Sequence, residues 1–278
     1  MRGHRAGLWA AALCALAVFA CAGIYAMGRG VNPFKRTELT IEVISPGAGV
    51  QTAAGVGDDR PRVLIYHTHT WEAYEMTDAV SYTPTETWRT MDERCNMVRV
   101  GEQLAQALTA QGFAVVHDTT AFEPPNLSSA YTRSLAMLEE RLAAGERYDY
   151  ILDVHRDAYS GLWNGANGVE QDGKQLSYVM LLVGQGTGTT GSGFDERPDW
   201  PQNLALAEQI TEELNALVPG ISREVKIKSG RFNQHVSTGA LLIEIGNNRN
   251  TLEEALASCE IIAQSIAHVH ERNQDTKT

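Results

Sequence analysis

The chain has 278 residues, a formal net charge of −11, 43% hydrophobic and 21% charged residues. That composition supports an ordinary hydrophobic core and excludes disordered and collagen-like classes. With 23 basic against 34 acidic residues it has no default basic face for phosphate, which excludes nucleic acid as the main partner, and its 4 cysteines are too few for a disulfide scaffold.

Met1-Arg-Gly-His-Arg5 is a basic leader, and residues 7–27 carry no charge. An uncharged run of roughly 20 residues spans a bilayer, and the charge rule keeps Arg2 and Arg5 in the cytoplasm. Residues 1–28 therefore read as a cytoplasmic leader and single-pass membrane anchor, with everything after them outside the cytoplasmic membrane. The competing reading is a cleaved signal peptide, whose apolar region runs to about 7–15 residues, shorter than this one. Val18-Phe19-Ala20 ahead of Cys21 is a poor lipoprotein signal. Residues 29–60, rich in Gly, Pro, Ala and Asp, read as an extracytoplasmic stalk with one β-like run at Leu39–Ile44.

The body, residues 61–272, alternates strand-like and helix-like segments. Val63–Tyr66 is a short apolar run consistent with a buried strand. Residues 94–111 follow with Val100, Leu104 and Leu108 at helical spacing and Gly112 as a stop. Phe113–Val116 reads as a strand, Ser128–Ala144 as a helix ending at Gly145, and Tyr150–Val154 and Tyr178–Val183 as strands. A Gly/Thr/Ser-rich loop covers 184–193, and Trp200–Val218 is helical. Ala240–Ile245 is a further strand. Thr251 and Glu254 form a capping box that opens a last helix, reaching about His270, and residues 273–278 are a polar tail. Apolar strands between amphipathic helices predict an α/β fold: a mostly parallel sheet with helices on both faces.

In such sheets ligands bind beyond the carboxyl ends of the strands. Those ends carry His67-Thr-His69-Thr-Trp-Glu72, His155-Arg156-Asp157, and Glu244 with Gly246-Asn247-Asn248. Two or three imidazoles with carboxylates are the donor set of catalytic zinc. If the segment is extended, His67 and His69 share a side. Glu244 lies inside an apolar strand, where a carboxylate is costly without a partner or a task. His4, His117, His268 and His270 read as ordinary polar residues, His117 pairing with Asp118; His235 lies in a polar run. Cys95 and Cys259 read as core fillers, and neither a nucleophile elbow nor a phosphate loop is present.

Leu64-Ile-Tyr-His-Thr-His-Thr-Trp-Glu-Ala-Tyr74, Asn96-Met-Val-Arg-Val-Gly101, Val116-His-Asp-Thr-Thr120, Tyr131-Thr-Arg-Ser134, Leu152-Asp-Val-His-Arg-Asp-Ala158, Phe232-Asn-Gln-His235 and Leu241-Leu-Ile-Glu-Ile-Gly-Asn-Asn-Arg-Asn-Thr-Leu-Glu-Glu-Ala255 resemble the stage II sporulation protein P family across nearly the whole body. That family is similar in turn to zinc-dependent N-acetylmuramoyl-L-alanine amidases. The resemblance implies an amidase-like fold and a membrane-anchored peptidoglycan hydrolase that thins the septal wall during forespore engulfment. It implies cleavage between the glycan's lactyl group and the stem peptide, or of peptide cross-links, and action in the space between the mother-cell and forespore membranes. Implied partners are peptidoglycan and stage II sporulation proteins D and M. The implied cofactor is zinc (Zn2+) on His69 and His155, with Glu72 as the third ligand and Glu93 or His67 as alternatives. Glu244 takes the general-base role; Arg156, Asp157, Asn233 and Gln234 take substrate contact or site support. Two other readings stay open: a non-catalytic wall-binding scaffold, and a zinc hydrolase of other extracytoplasmic amides.

Overall fold

In the computed structural model the described residues are 42–44, 59–159, 167–187 and 199–276. The expected anchor at 7–27 lies outside them, as does most of the 29–60 segment. Among the described residues no helix is long and apolar enough to cross a membrane.

The described strands are β1 (Glu42–Ile44), β2 (Arg62–Tyr66), β3 (Ala114–Asp118), β4 (Tyr150–Asp157), β5 (Gly168–Gln171), β6 (Lys174–Ser177), β7 (Val179–Gly184), β8 (Lys226–Lys228) and β9 (Ala240–Asn247). The helices are α1 (Met97–Ala110), α2 (Ala130–Ala143), α3 (Trp200–Leu217) and α4 (Leu252–Asp275). Seven strands form one sheet in the order β1-β3-β2-β4-β9-β7-β8. The first five run parallel. β7 is antiparallel to β9, and β8 follows β7 in parallel. The sheet is thus mostly parallel, as the apolar runs predict, with a reversed pair at one side. β5 and β6 form a separate antiparallel hairpin. Part of the β-like run expected in the stalk, Glu42–Ile44, pairs with Val116–Asp118 and extends the sheet.

Alternation along each strand sends side chains to two cores. Val63, Ile65, Leu152, Val154, Ile243 and Ile245 face one side, packed by Val100, Leu104 and Leu108 of α1, Ile210 and Leu214 of α3, and Ile262 and Ile266 of α4. Leu64, Tyr66, Val116 and Ile151 face the other, packed by Ala130 and Leu138 of α2. Among the described residues, three of the four α-helices pack on one face and one on the other.

The helix ends follow their chemistry. Asn96 caps α1 by accepting from Val98 N at 2.9 Å. Gly112 and Gly145 stop α1 and α2 at φ +93°, a conformation without strain only for glycine. The Thr251–Glu254 capping box is formed, and α4 runs on to Asp275, past the expected end near His270. β4 and β9 also outrun their apolar cores. His155, Arg156 and Asp157 lie within β4, where the register with β9 shifts at a bulge between His155 and Asp157, and not in a loop beyond it.

Candidate active site

The candidate site lies at the carboxyl ends of β2, β4 and β9, on the face that carries α2. His155 and Glu244 are register partners on adjacent strands. Both point away from the three-helix core, because their neighbours Val154, Ile243 and Ile245 fill it. His69 arrives from the turn after β2, its ring centroid 5.3 Å from that of His155 at 83°. Glu72 Oε2 sits 3.5 Å from His155 Nδ1 and accepts the Arg156 backbone N–H at 3.2 Å. The structure therefore brings His69, Glu72, His155 and Glu244 together.

The electrostatics are unequal. Burial alone would raise Glu72, but His155, Arg156 and His69 outweigh it and hold it at about 2. Burial disfavours the His155 cation, yet Asp153 and Glu72 overcome that and raise its pKa well above the ordinary value. Glu244, unlike Glu72, is raised: burial, with Glu72 and Asp157 adding repulsion against the pull of His155 and Arg156, lifts it to about 8. Its Oε2 is buried without a hydrogen bond, as is His69 Nδ1.

His67 does not join them. The chain leaves the extended conformation at Thr68, so the expectation that His67 and His69 share a side fails. His67 Nδ1 contacts Val154 O at 2.9 Å and Nε2 contacts His117 Nε2 at 2.9 Å, inside the fold. His117 thus pairs with His67, while Asp118 pairs with Arg141 at 2.8 Å. Glu93 is exposed in the turn before α1. Arg156 is buried and structural: Nε donates to Ala73 O at 3.0 Å and Nη2 to Trp88 O at 3.1 Å. Asp157, with Glu244, Met180 and Arg223, lines a narrow cleft. Asn233, at φ +54°, donates to Tyr131 O at 2.9 Å and Ser134 Oγ at 3.0 Å. Gln234 accepts from Gly184 N at 2.9 Å and donates to Leu182 O at 2.7 Å, holding β7.

Three residues at the site were not anticipated. Asp153 Oδ1 lies 2.8 Å from His155 Nε2, at ion-pair distance though off hydrogen-bond alignment. Asp153 also accepts from Thr68 N at 2.8 Å and Thr68 Oγ1 at 2.7 Å. Its place two residues before His155 on one strand face was the signal. Glu123 Oε1 faces His69 Nδ1 at 3.6 Å. Tyr131 packs edge-on against His69 at 5.5 Å, and burial keeps its phenol protonated far above the usual range. Glu123 follows β3 in an irregular stretch with no periodicity to mark it.

Two donors about 2.0–2.1 Å from a tetrahedral zinc stand roughly 3.4 Å apart. The 3.5 Å between His155 Nδ1 and Glu72 Oε2 matches that spacing. Among the described residues no three His, Cys, Asp or Glu side chains close on a single point. Two imidazoles, one of them His69 with its buried Nδ1 unbonded, and the ionised carboxylate of Glu72 nevertheless make a donor set whose chemistry fits zinc.

The family model described as Stage II sporulation protein P (SpoIIP) matches residues 29–267. The chain belongs to the stage II sporulation protein P family. The Stage II sporulation protein P of Bacillus subtilis (strain 168) is 26% identical over 223 residues, 76% of this chain and 52% of the relative. The chain thus spans about half the length of the curated family member it matches. Among solved structures, the CwlD amidase from Clostridioides difficile, in complex with the GerS lipoprotein, aligns at a TM-score of 0.49 with 14% identity, over 78% of this chain and 100% of that one. An N-acetylmuramoyl-L-alanine amidase from Clostridium difficile 630 aligns at 0.46 with 14% identity, over 79% and 99%.

Proposed function

We propose that this member of the stage II sporulation protein P family is a zinc-dependent peptidoglycan hydrolase. It cleaves the amide between the glycan's lactyl group and the stem peptide, or peptide cross-links, to thin septal wall during engulfment. The observation that carries this is the meeting of His69, Glu72 and His155 with the proton-holding Glu244 at one edge of the sheet.

His69, Glu72 and His155 would hold the zinc. When bound, it would polarise the scissile carbonyl and lower the pKa of a water. Glu244, lifted to about 8 by burial, is tuned near neutrality. A cation bound beside it would draw that pKa down, and the resulting carboxylate could take the water's proton and pass it to the leaving amine. Asp153, held by Thr68, braces the far side of the His155 ring. The uncharged segment at 7–27 would anchor the chain, with the body in the space between the mother-cell and forespore membranes and stage II sporulation proteins D and M as partners.

The test is digestion of purified cross-linked peptidoglycan by the chain from residue 29 onward, with and without a zinc chelator, read by mass spectrometry. Free stem peptides and peptide-free glycan, lost on chelation and restored by zinc, are the expected products. Uncrosslinked but attached peptides would make the activity an endopeptidase. Intact wall that is still bound would favour the scaffold, and cleavage of soluble amides alone the broader hydrolase.

A further inference from the structure

Beside the candidate active site lies a cavity of about 240 Å³. Its walls include Trp71, Pro125 and Leu127, and its charged groups are Glu86, Arg89 and Glu123, with Thr85 and Asn126 also lining it. We propose that this cavity is a subsite for a carboxylate carried by the peptide within one or two residues of the scissile amide, and that Arg89 binds it. The inference rests on the peptidoglycan reading above and adds a specificity to it.

The cavity is fixed to the site in two ways. Its floor is Glu123, the carboxylate that faces His69 Nδ1 at 3.6 Å. Its Arg89 side is bound to the strand of chain that holds Glu72. Ala73 N donates to Trp88 O at 2.9 Å and Thr90 N to Trp71 O at 2.8 Å. A peptide whose amide reaches His69 and Glu72 therefore has its next residues beside Arg89.

Charge decides what the cavity takes. Glu123 is buried and fully engaged: it accepts Trp71 N at 3.2 Å and pairs with Arg89 Nη2. That pairing orients the guanidinium. Its Nε side faces Glu86 at 3.7 Å, a side chain 73% exposed. Such exposed pairs contribute almost nothing to stability. A substrate carboxylate can displace Glu86 and meet a largely buried guanidinium fork, where charge-assisted bonds are strong. Trp71, Pro125 and Leu127, the last 47% exposed, supply apolar wall for the peptide backbone.

The test compares two soluble ligands, N-acetylmuramoyl-L-alanyl-D-isoglutamate and its isoglutamine counterpart, which differ only in a free carboxylate against an amide. Binding to the full chain carrying Glu244→Gln is measured by calorimetry, and hydrolysis by the unmodified chain is resolved into kcat and KM. The free acid should bind roughly 10- to 100-fold more tightly, as a charged hydrogen bond would give, and differ in KM rather than kcat. Arg89→Lys should erase most of that preference. Glu86→Gln, at an exposed site that does not threaten folding, should tighten the acid about 2- to 5-fold and leave the amide unchanged. Equal binding of the two ligands, or a preference untouched by Glu86→Gln, would overturn the subsite. If the preference holds while wall stays undigested, the hydrolase reading fails and the subsite stands. If wall is digested without preference, the subsite alone falls.

Discussion

Glu244 and His155 are register partners whose pKa values are both raised, for different reasons, so the carboxyl leans neutral and the imidazole charged. The difference lies in company. His155 has Asp153 and Glu72 within 3.5 Å, while Glu244 Oε2 has no hydrogen bond. Glu244→Gln removes the carboxyl that the proposed mechanism uses as base and leaves the other three groups in place, so wall digestion should fall roughly 100- to 10,000-fold while zinc is retained. Near-normal digestion would remove Glu244 from the mechanism. Behind the site, Gly101 faces the His67–His117 pair, and a Cβ there would lie 2.4 Å from both Nε2 atoms. Alanine gains about 1 kcal/mol in helix propensity, but overpacking a rigid buried pair costs about 1–3 kcal/mol. Gly101→Ala should lower the denaturant midpoint. The same pair makes stability depend on pH. Burial depresses His67 to about 4 and His117 to about 3, below the ordinary value. The unfolded chain thus protonates first, so this contribution is complete above about pH 6.5 and is lost progressively as the pH falls through 4 for His67 and toward 3 for His117. Unfolding curves at pH 7.5, 6 and 5 should show falling stability, and His117→Gln a shallower slope; an unchanged slope would clear the pair.

At the scale of elements, the parallel half of the fold was legible because buried parallel strands are continuous apolar runs and the helices between them carry their stops at Gly112 and Gly145. The reversal of β7 was not legible, since Val179–Gly184 is buried throughout and a wholly buried run reads alike in either direction. The β5–β6 hairpin was legible and missed: Asp172 and Gly173, both at positive φ, are the Asp-Gly pair that a two-residue hairpin favours. The site was half legible for a similar reason. Strand ends point to His155 and Glu244, whereas the divergence of His67 from His69 depends on a turn that alternation does not reveal. The capping box of α4 was read from residue types alone and is present. Thr251→Ala removes one of its two bonds and should cost about 0.5–2 kcal/mol, read as a lower melting temperature with unchanged fold. No loss would mean that packing of α4 alone sets its start.

For the molecule as a whole, zinc would tie the turn after β2 to β4, two segments some 85 residues apart that meet at His155 and Glu72. A ligand that binds only the folded state stabilises it by about 4 kcal/mol at 1,000 times its Kd, roughly 8–16 °C for a domain of this size. Because His155 is held as a cation without metal, loading must expel its proton, so the zinc-induced shift should shrink from pH 7.5 to 5.5. Melting with zinc and with chelator at both values checks this, and identical temperatures would exclude a zinc tie.

Arg156 has a wider consequence. Its side chain holds Ala73 O and Trp88 O while its backbone N–H holds Glu72, so one residue of β4 fastens both ends of the 72–88 segment. That segment also carries the lip of the Arg89 cavity. Tyr74 OH, donating to Ile245 O, and Glu75 N, donating to Asn250 O, hold it as well, so opening the strap would disturb the candidate site and the cavity beside it together.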